Sequence, residues 1–192
     1  MIAPPIPRNE SERLTALKRY QILDTEPEKN FDDLTFLASH ICGTPIALIT
    51  LVDDKRQWFK SRCGIEAEET ARDVSFCGHA ILENKLFVVP DTLGDDRFSD
   101  NPLVTGDPRI RFYAGAPLLT YDGHALGTLC IIDRAPKVLT WQQKGALEAL
   151  ARQTAALLDY RLTLIALKEA ESTLKHLTGL LPICAWCKNM RT

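Results

Sequence analysis

From Thr140 to about Thr178 the chain holds no proline, and Thr140 and Gln143 stand in capping-box spacing at the start of the run. Such a run predicts a helix of close to 40 residues, roughly 60 Å long, which exceeds what a compact domain of this size needs. Leu150, Gln153, Leu157, Tyr160, Leu164, Leu167, Glu171, Leu174, Thr178 and Leu181 follow alternating spacings of three and four, an imperfect heptad seam. Its first half is expected to pack on its own sheet. Beyond about Arg161 no other local element can cover the leucines, so the expected partner is the same helix of a second chain, in a homodimer.

What precedes this helix must supply one core. The chain has 192 residues, 45% of them hydrophobic and 25% charged, with a formal charge of −2. That near-neutral balance argues against nucleic-acid binding through a basic face. The most apolar run, Pro45 to Val52, is far short of the roughly 20 residues a membrane-crossing helix needs, so no membrane insertion is expected. Nor does Met1-Ile-Ala-Pro-Pro-Ile-Pro-Arg8 carry a secretory core. Six cysteines, at 42, 63, 77, 130, 184 and 187, are too sparse for a disulfide scaffold. Reduced thiols and a cytoplasmic location are expected.

Residues 1–8, with three prolines, read as an extended leader. Asn9 and Glu12 have capping-box spacing for a first helix with Leu14, Leu17 and the Ile22-Leu23 pair as its apolar stripe. Pro27 suits the first turn of a second helix, with Phe31, Leu34, Leu37, Ala38 and Ile41 inward and Gly43 as its cap. The period then changes. Ile46–Val52 and Arg56–Cys63 read as a hairpin around Asp53-Asp54-Lys55, and Thr70 to Asp73 as polar loop. Ser75 can cap a short helix, Leu86–Val89 is a third strand, and residues 91–108 form a long loop or very short helices. A second hairpin pairs 111–119 with 125–132 around Tyr121-Asp-Gly-His124. Helices before, between and after two hairpins define an α+β domain with an antiparallel sheet.

Several runs are familiar in order: Asn9-Glu-x-x-Arg13-Leu14, Ile22-Leu-Asp-Thr25, Phe31-Asp32, Pro45-Ile-Ala-Leu48 and Asp54-x-x-Gln57-Trp-Phe-Lys60. They continue through Ser75-Phe-Cys-x-His-Ala-Ile81, Asp96-Arg-Phe98, Asn101-Pro-Leu-Val104, Arg111-Phe-Tyr-Ala-Gly-Ala-Pro-Leu118 and Gly127-Thr-Leu-Cys130. Residues 9–161 thereby resemble a bacterial GAF-domain subfamily found upstream of histidine kinases, diguanylate cyclases and other signalling outputs. The resemblance implies a GAF-like, PAS-related fold. Its central six-stranded antiparallel sheet would carry helices from both chain ends on one face and a small-molecule pocket on the other. Phe76, Cys77, His79, Asp91, Phe98, Arg111, Phe112, Tyr113 and Cys130 are the pocket candidates it implies. Residues 162–179 would be a coiled-coil extension and 180–192 a truncated tail. Gly179-Leu-Leu-Pro-Ile-Cys-Ala-Trp-Cys-Lys188 resembles a segment that continues, in some such proteins, to a second cysteine pair, so a larger parent protein is expected.

Chemistry is thinly marked. Cys184-x-x-Cys187 has metal-knuckle spacing but is half a site, with no further ligands in this chain. Cys77 and His79 are two apart on a helix and point in different directions, which disfavours a thiolate–imidazole pair. Asp91, Asp95, Asp96 and Asp100 do not match an EF-hand loop; turns and ion pairs with Arg97, Arg109 and Arg111 account for them. Gly115 and Gly127 read as sites of close backbone approach. No cofactor fingerprint or catalytic constellation is present. The leading expectation is a non-catalytic sensory module that binds a small ligand and relays its state through dimeric helices to an output domain. Cyclic-nucleotide binding is disfavoured by the absence of an Asn-Lys-x-x-Phe-Asp-Glu signature. Bilin attachment is disfavoured because Gly78 separates Cys77 from His79. The alternatives are a free methionine sulfoxide reductase exchanging disulfides through Cys63 and Cys77, and a dimerisation module without ligand.

Overall fold

A computed structural model of the chain describes residues 1–180. Cys184 and Cys187, with the rest of the tail, lie outside the described residues. The chain begins with an extended leader that docks rather than trails: the Ile2 amide donates to the Arg97 carbonyl at 3.1 Å, and Pro4 is buried. Helices α1 (Glu10–Arg19) and α2 (Lys29–Cys42) follow. The strands are β1 (Ile46–Val52), β2 (Arg56–Cys63), β3 (Glu69–Ala71), β4 (Phe87–Val89), β5 (Phe112–Leu119) and β6 (Ala125–Asp133). Short helices α3 (Phe76–Ala80) and α4 (Pro102–Thr105) lie between them, and α5 (Trp141–Leu180) closes the order.

The strands form one antiparallel sheet in the order β3-β2-β1-β6-β5-β4. Every side chain of β1 is buried, as its unbroken apolar sequence requires of a central strand covered on both faces. Both edge strands are three residues long, which leaves little unpaired backbone for another chain to extend. On one face α1, α2 and α5 bury Leu17, Phe31, Ile49, Trp58, Phe112 and Leu147. On the other, α3 and the 92–110 segment bury Leu48, Phe59, Phe76, Phe98, Tyr113 and Cys130.

The ends of the elements separate local from distant causes. Gly43 ends α2 in the left-handed conformation, φ 59°, and Ser75 caps α3 through the Gly78 amide. At α5 the capping box forms in full: the Gln143 amide donates to Thr140 Oγ1 at 3.2 Å, and the Thr140 amide to Gln143 Oε1 at 3.0 Å. The expected Asn9 box does not form. Asn9 lies at φ −100°, ψ 26°, outside the extended region a cap needs, and its amide reaches His124 Nδ1 at 3.3 Å instead. Pro27 precedes α2, whose cap position is Glu28. Leu37 and Ile41 face solvent, while Thr35 and Cys42 point inward with Phe31 and Ala38. The expected polar loop at 70–73 contributes instead to edge strand β3 and a turn of 3₁₀ helix at Arg72–Val74.

Helix α5 changes character along its length. Leu147, Ala151, Thr154 and Leu158 are buried against the sheet and α2, one row over from the predicted seam, whose Leu150 and Leu157 are partly buried at its edge. Tyr20 Oη donates to Asp159 Oδ1 at 2.7 Å, and Arg161 reaches Glu28 Oε1 at 2.8 Å. Past Ile165 every described side chain is exposed, Leu167 and Leu174 included.

Candidate functional site

The face opposite the long helices is organised around Cys77. Ser75 Oγ accepts the Gly78 amide at 2.8 Å and itself donates to Gln57 Oε1 of β2. Asn101 Nδ2 holds the Val74 carbonyl at 3.0 Å. These contacts pin the start of α3 against the sheet and set Cys77 above β1, β5 and β6. Two glycines permit the approach. A Cβ on Gly127 would lie 1.9 Å from the Thr50 carbonyl oxygen, and one on Gly115 would lie 2.2 Å from Tyr113 Oη. Without a side chain at 115, the Tyr113 hydroxyl can rest over the strand.

Tyr113 Oη and Thr128 Oγ1 each donate to Cys77 Sγ at 3.1 Å, and Cys130 Sγ lies 3.9 Å from it. Thr50, directly opposite Thr128 in the β1–β6 ladder, shares a hydrogen bond with it at 3.2 Å. Burial opposes a thiolate at Cys77, yet hydrogen bonds from Cys130, Thr128, Thr50 and Tyr113 outweigh it and lower its pKa to about 7. Cys130 and Tyr113 move the other way: burial, then the negative charge shared with Cys77, holds both protons well above their ordinary range.

Beside the thiols is a cavity of about 30 Å³, bounded by Leu48, Phe59, Phe76, Tyr113 and the two cysteines. It has room for one or two water-sized molecules. Ile65, Thr70, Leu103 and Pro108 separate it from an open surface cleft of about 600 Å³, which also involves Glu66, Asp107 and Arg134. Phe76 stacks on Phe98 at 4.2 Å and on Tyr113 at 5.1 Å, fixing the inner wall.

Phe76, Cys77, Tyr113 and Cys130 of the predicted set therefore meet at one cavity. The rest of the set lies elsewhere. Phe112 packs in the helix-side core, because successive strand residues face opposite sides and Tyr113 takes the cavity side. His79 bonds the Ile2 carbonyl at 3.0 Å and lies edge-on to Phe98 at 4.9 Å; burial keeps its pKa below the usual value. Phe98 backs the stack rather than lining the cavity. Asp91 and Arg111 form a two-pronged ion pair at 3.1 and 3.0 Å. Asp95 similarly holds Arg97, and Asp100 meets the N-terminal amine. The acidic residues are thus spread among separate partners, and no cluster that could hold a metal ion occurs among the described residues. Cys63 stands at the end of β2 opposite Ala47, so the thiol beside Cys77 is Cys130 and not Cys63. Thr50 and Thr128 were not among the candidates. Each is a lone hydroxyl in an otherwise apolar strand, which was the available signal.

A sheet clad on one face by the terminal helices, and on the other by short helices over a cavity, is the architecture of a sensory α+β domain. The chain matches the GAF domain over residues 26–158, more than half its length, and belongs to that family. It is 43% identical over 157 residues to a protein of Pseudomonas aeruginosa named a cyclic di-GMP phosphodiesterase, covering 81% of this chain and 27% of that one. The chain thus spans about a quarter of this relative's length. The GAF domain of an Acinetobacter phosphoenolpyruvate-protein phosphotransferase superposes with a TM-score of 0.59 at 13% identity, over 80% of this chain and 96% of that one. A type II free methionine-R-sulfoxide reductase from Thermoplasma acidophilum does so at 0.56 and 12%, over 74% and 94%. At these identities the solved structures share the fold. No helix among the described residues is long and apolar enough to cross a membrane.

Proposed function

We propose that the chain is a non-catalytic sensory module of a larger bacterial signalling protein, acting in the cytoplasm. A small ligand on the cavity face would bias the arrangement of α5, and paired α5 helices would carry that bias to an output domain of the parent. The 43% identical relative is named a cyclic di-GMP phosphodiesterase, and turnover of that kind is assigned to the parent, not to this chain.

The observation that carries this reading is α5 itself. It leaves the domain after Arg161 and Leu162 and continues with Leu164, Leu167 and Leu174 exposed at heptad spacing. An exposed heptad row fits a second copy of the same helix. α2, packed beside α5, adds exposed Phe36, Leu37 and Ile41. In sedimentation velocity the full chain is expected to run as a dimer. Leu167→Glu combined with Leu174→Glu should make it a monomer with the domain's melting temperature unchanged. A wild-type monomer at tens of micromolar overturns the relay.

A second reading, a dimerisation module without ligand, draws support from the 30 Å³ inner cavity, which is too small for a metabolite. A ligand of that size needs the outer cleft. A thermal-shift panel of nucleotides, amino acids and carboxylic acids separates the two: a stabilising compound supports sensing, and none supports the second reading.

A further inference from the structure

The cavity face contains a chemical pair that packing alone does not call for. Two thiols lie 3.9 Å apart between α3 and β6, both fully buried. Two hydroxyl donors, Tyr113 and Thr128, converge on Cys77 Sγ at 3.1 Å, and both also interact with Cys130. An alanine or valine would fill either position without needing Tyr113 and Thr128 to be aimed at it. Hydrogen-bond donors directed at a sulfur stabilise the thiolate, the nucleophilic form of cysteine. The void alongside admits only molecules near the size of water. Hydrogen peroxide is of that size, whereas glutathione disulfide and other bulky oxidants are excluded.

We infer that Cys77 and Cys130 form a reversible disulfide on reaction with hydrogen peroxide, making this cavity a peroxide-responsive dithiol site. The inference rests on the sensory reading only for what the disulfide would signal, not for whether it forms. In the first step the Cys77 thiolate attacks one peroxide oxygen. An S–O bond forms, the O–O bond breaks, and hydroxide leaves to become water with the proton Cys77 had given up. In the second step Cys130 Sγ attacks the Cys77 sulfenic sulfur. The S–S bond forms, the S–O bond breaks, and the hydroxyl departs as a second water with the Cys130 proton. Two thiols lose two electrons and one peroxide gains them. A dithiol reductant reverses the reaction by thiol–disulfide exchange.

The pKa of about 7 at Cys77 gives it an appreciable thiolate fraction near neutrality, while Cys130 stays protonated. With two hydroxyls at 3.1 Å from its sulfur, Cys77 attacks the peroxide first and Cys130 resolves. Closing 3.9 Å to a disulfide of about 2.05 Å takes rotation of the two side chains or approach of α3 to β6. α3 is only five residues long and lies against the leader, where Gly78 meets Pro4 and His79 meets Ile2. Any approach of α3 on disulfide formation would shift the leader and the inner wall together.

The test uses the full reduced chain, exposed to hydrogen peroxide, quenched with N-ethylmaleimide under denaturing conditions and mapped by mass spectrometry. The expected result is a linked pair of peptides containing Cys77 and Cys130, lighter by two hydrogens and split by dithiothreitol. Free Cys77 and Cys130 after oxidation confined to Cys63 or to Cys184 and Cys187 overturns the inference. Because mapping needs no variant, a misfolded mutant cannot confound it. Cys130→Ala should leave Cys77 as a sulfenic acid that dimedone, added with the denaturing quench, captures, and absence of that adduct counts against the order of steps. Tyr113→Phe should raise the pH midpoint of Cys77 oxidation and slow it roughly tenfold at pH 7; an unchanged pH profile removes Tyr113 from the site. Disulfide formation with no change in α5 hydrogen exchange upholds the dithiol and overturns only the sensory reading attached to it.

Discussion

The two faces of the sheet bury polar groups in opposite ways. On the helix face Lys60, Ser61 and Arg13 are locked by several partners, while Arg72 Nε and Nη2 and Arg161 Nε are buried without one. Lys60, with no exposed side-chain surface, donates to Thr25 Oγ1, the Glu26 carbonyl and Glu28 Oε1 at 2.7–2.9 Å. Ser61 joins Thr35 at 2.8 Å and Asp32 at 2.6 Å. Arg13 spans the Glu10 carboxylate and the Val52 carbonyl. These bonds tie β1 and β2 to α1 and α2, and Glu28 extends the tie to α5 through Arg161. On the cavity face the polar groups are thiols and hydroxyls beside a void, held by helices of four and five residues. Buried charges with full partner sets rigidify; weakly bonded groups next to empty space can rearrange at modest cost. One face fixes the frame and the other is free to respond.

Two glycine substitutions sharpen this contrast most strongly. At Gly127 an added Cβ meets β1 backbone at the Thr50 carbonyl, so neither face can accommodate it without separating the central strands. Gly127→Ala is expected to cost at least about 3 kcal/mol in chemical denaturation. At Gly115 the atoms nearest the Cβ are the Tyr113 hydroxyl and ring. Gly115→Ala should cost about 1–3 kcal/mol while moving the hydroxyl off Cys77. Equal costs would show that the cavity face is as tightly framed as the ladder beneath it.

Next in size is Lys60→Met, which removes the ammonium 5.4 Å from the Phe31 ring centroid, strands the Glu26 carbonyl and leaves the Thr25 hydroxyl only its bond to the Ile22 carbonyl. The expected loss is roughly 2–3 kcal/mol, read from the denaturation midpoint with an unchanged slope. A loss below about 0.5 kcal/mol would mean that water replaces the ammonium and that the helix face is not locked as described.

What could be read from sequence divides along the same line. Strands β1, β2, β5 and β6 were legible because period and turn chemistry are local, and so was α5, whose capping box lies within four residues. Asn9 was misread because its amide answers to His124, 115 residues away. Strand β3 was missed because Glu69, Thr70 and Ala71 have no strand pattern of their own; pairing with Arg56, Gln57 and Trp58 makes them a strand. Cys77 and Cys130 were both named, but their meeting depends on Ser75, Gln57 and Asn101 anchoring α3, which no local pattern encodes. Phe112 was an avoidable error, since neighbours on a strand cannot both face the cavity.

A last expected effect separates the faces by pH. Burial works against ionisation of Glu10, but Arg13 and Arg72 outweigh it and lower its pKa from 4.5 to about 2. Its folded value lies below its unfolded one, so its contribution is complete above about pH 4.5 and is lost as pH falls through 2. Cys77 has the same sign in another range. With its pKa lowered from 9.0 to about 7, it adds stability as pH rises from 7 towards 9, and that gain is absent below 7. Denaturation midpoints measured from pH 2 to 9 should therefore carry two separate slopes from these groups. Glu10→Gln is expected to reduce the acid slope and leave the alkaline one, and Cys77→Ser to do the reverse. If either substitution changed both slopes, the thiol cluster and the α1 ion cluster would be coupled through β1, and the cavity could not rearrange independently of the helix layer.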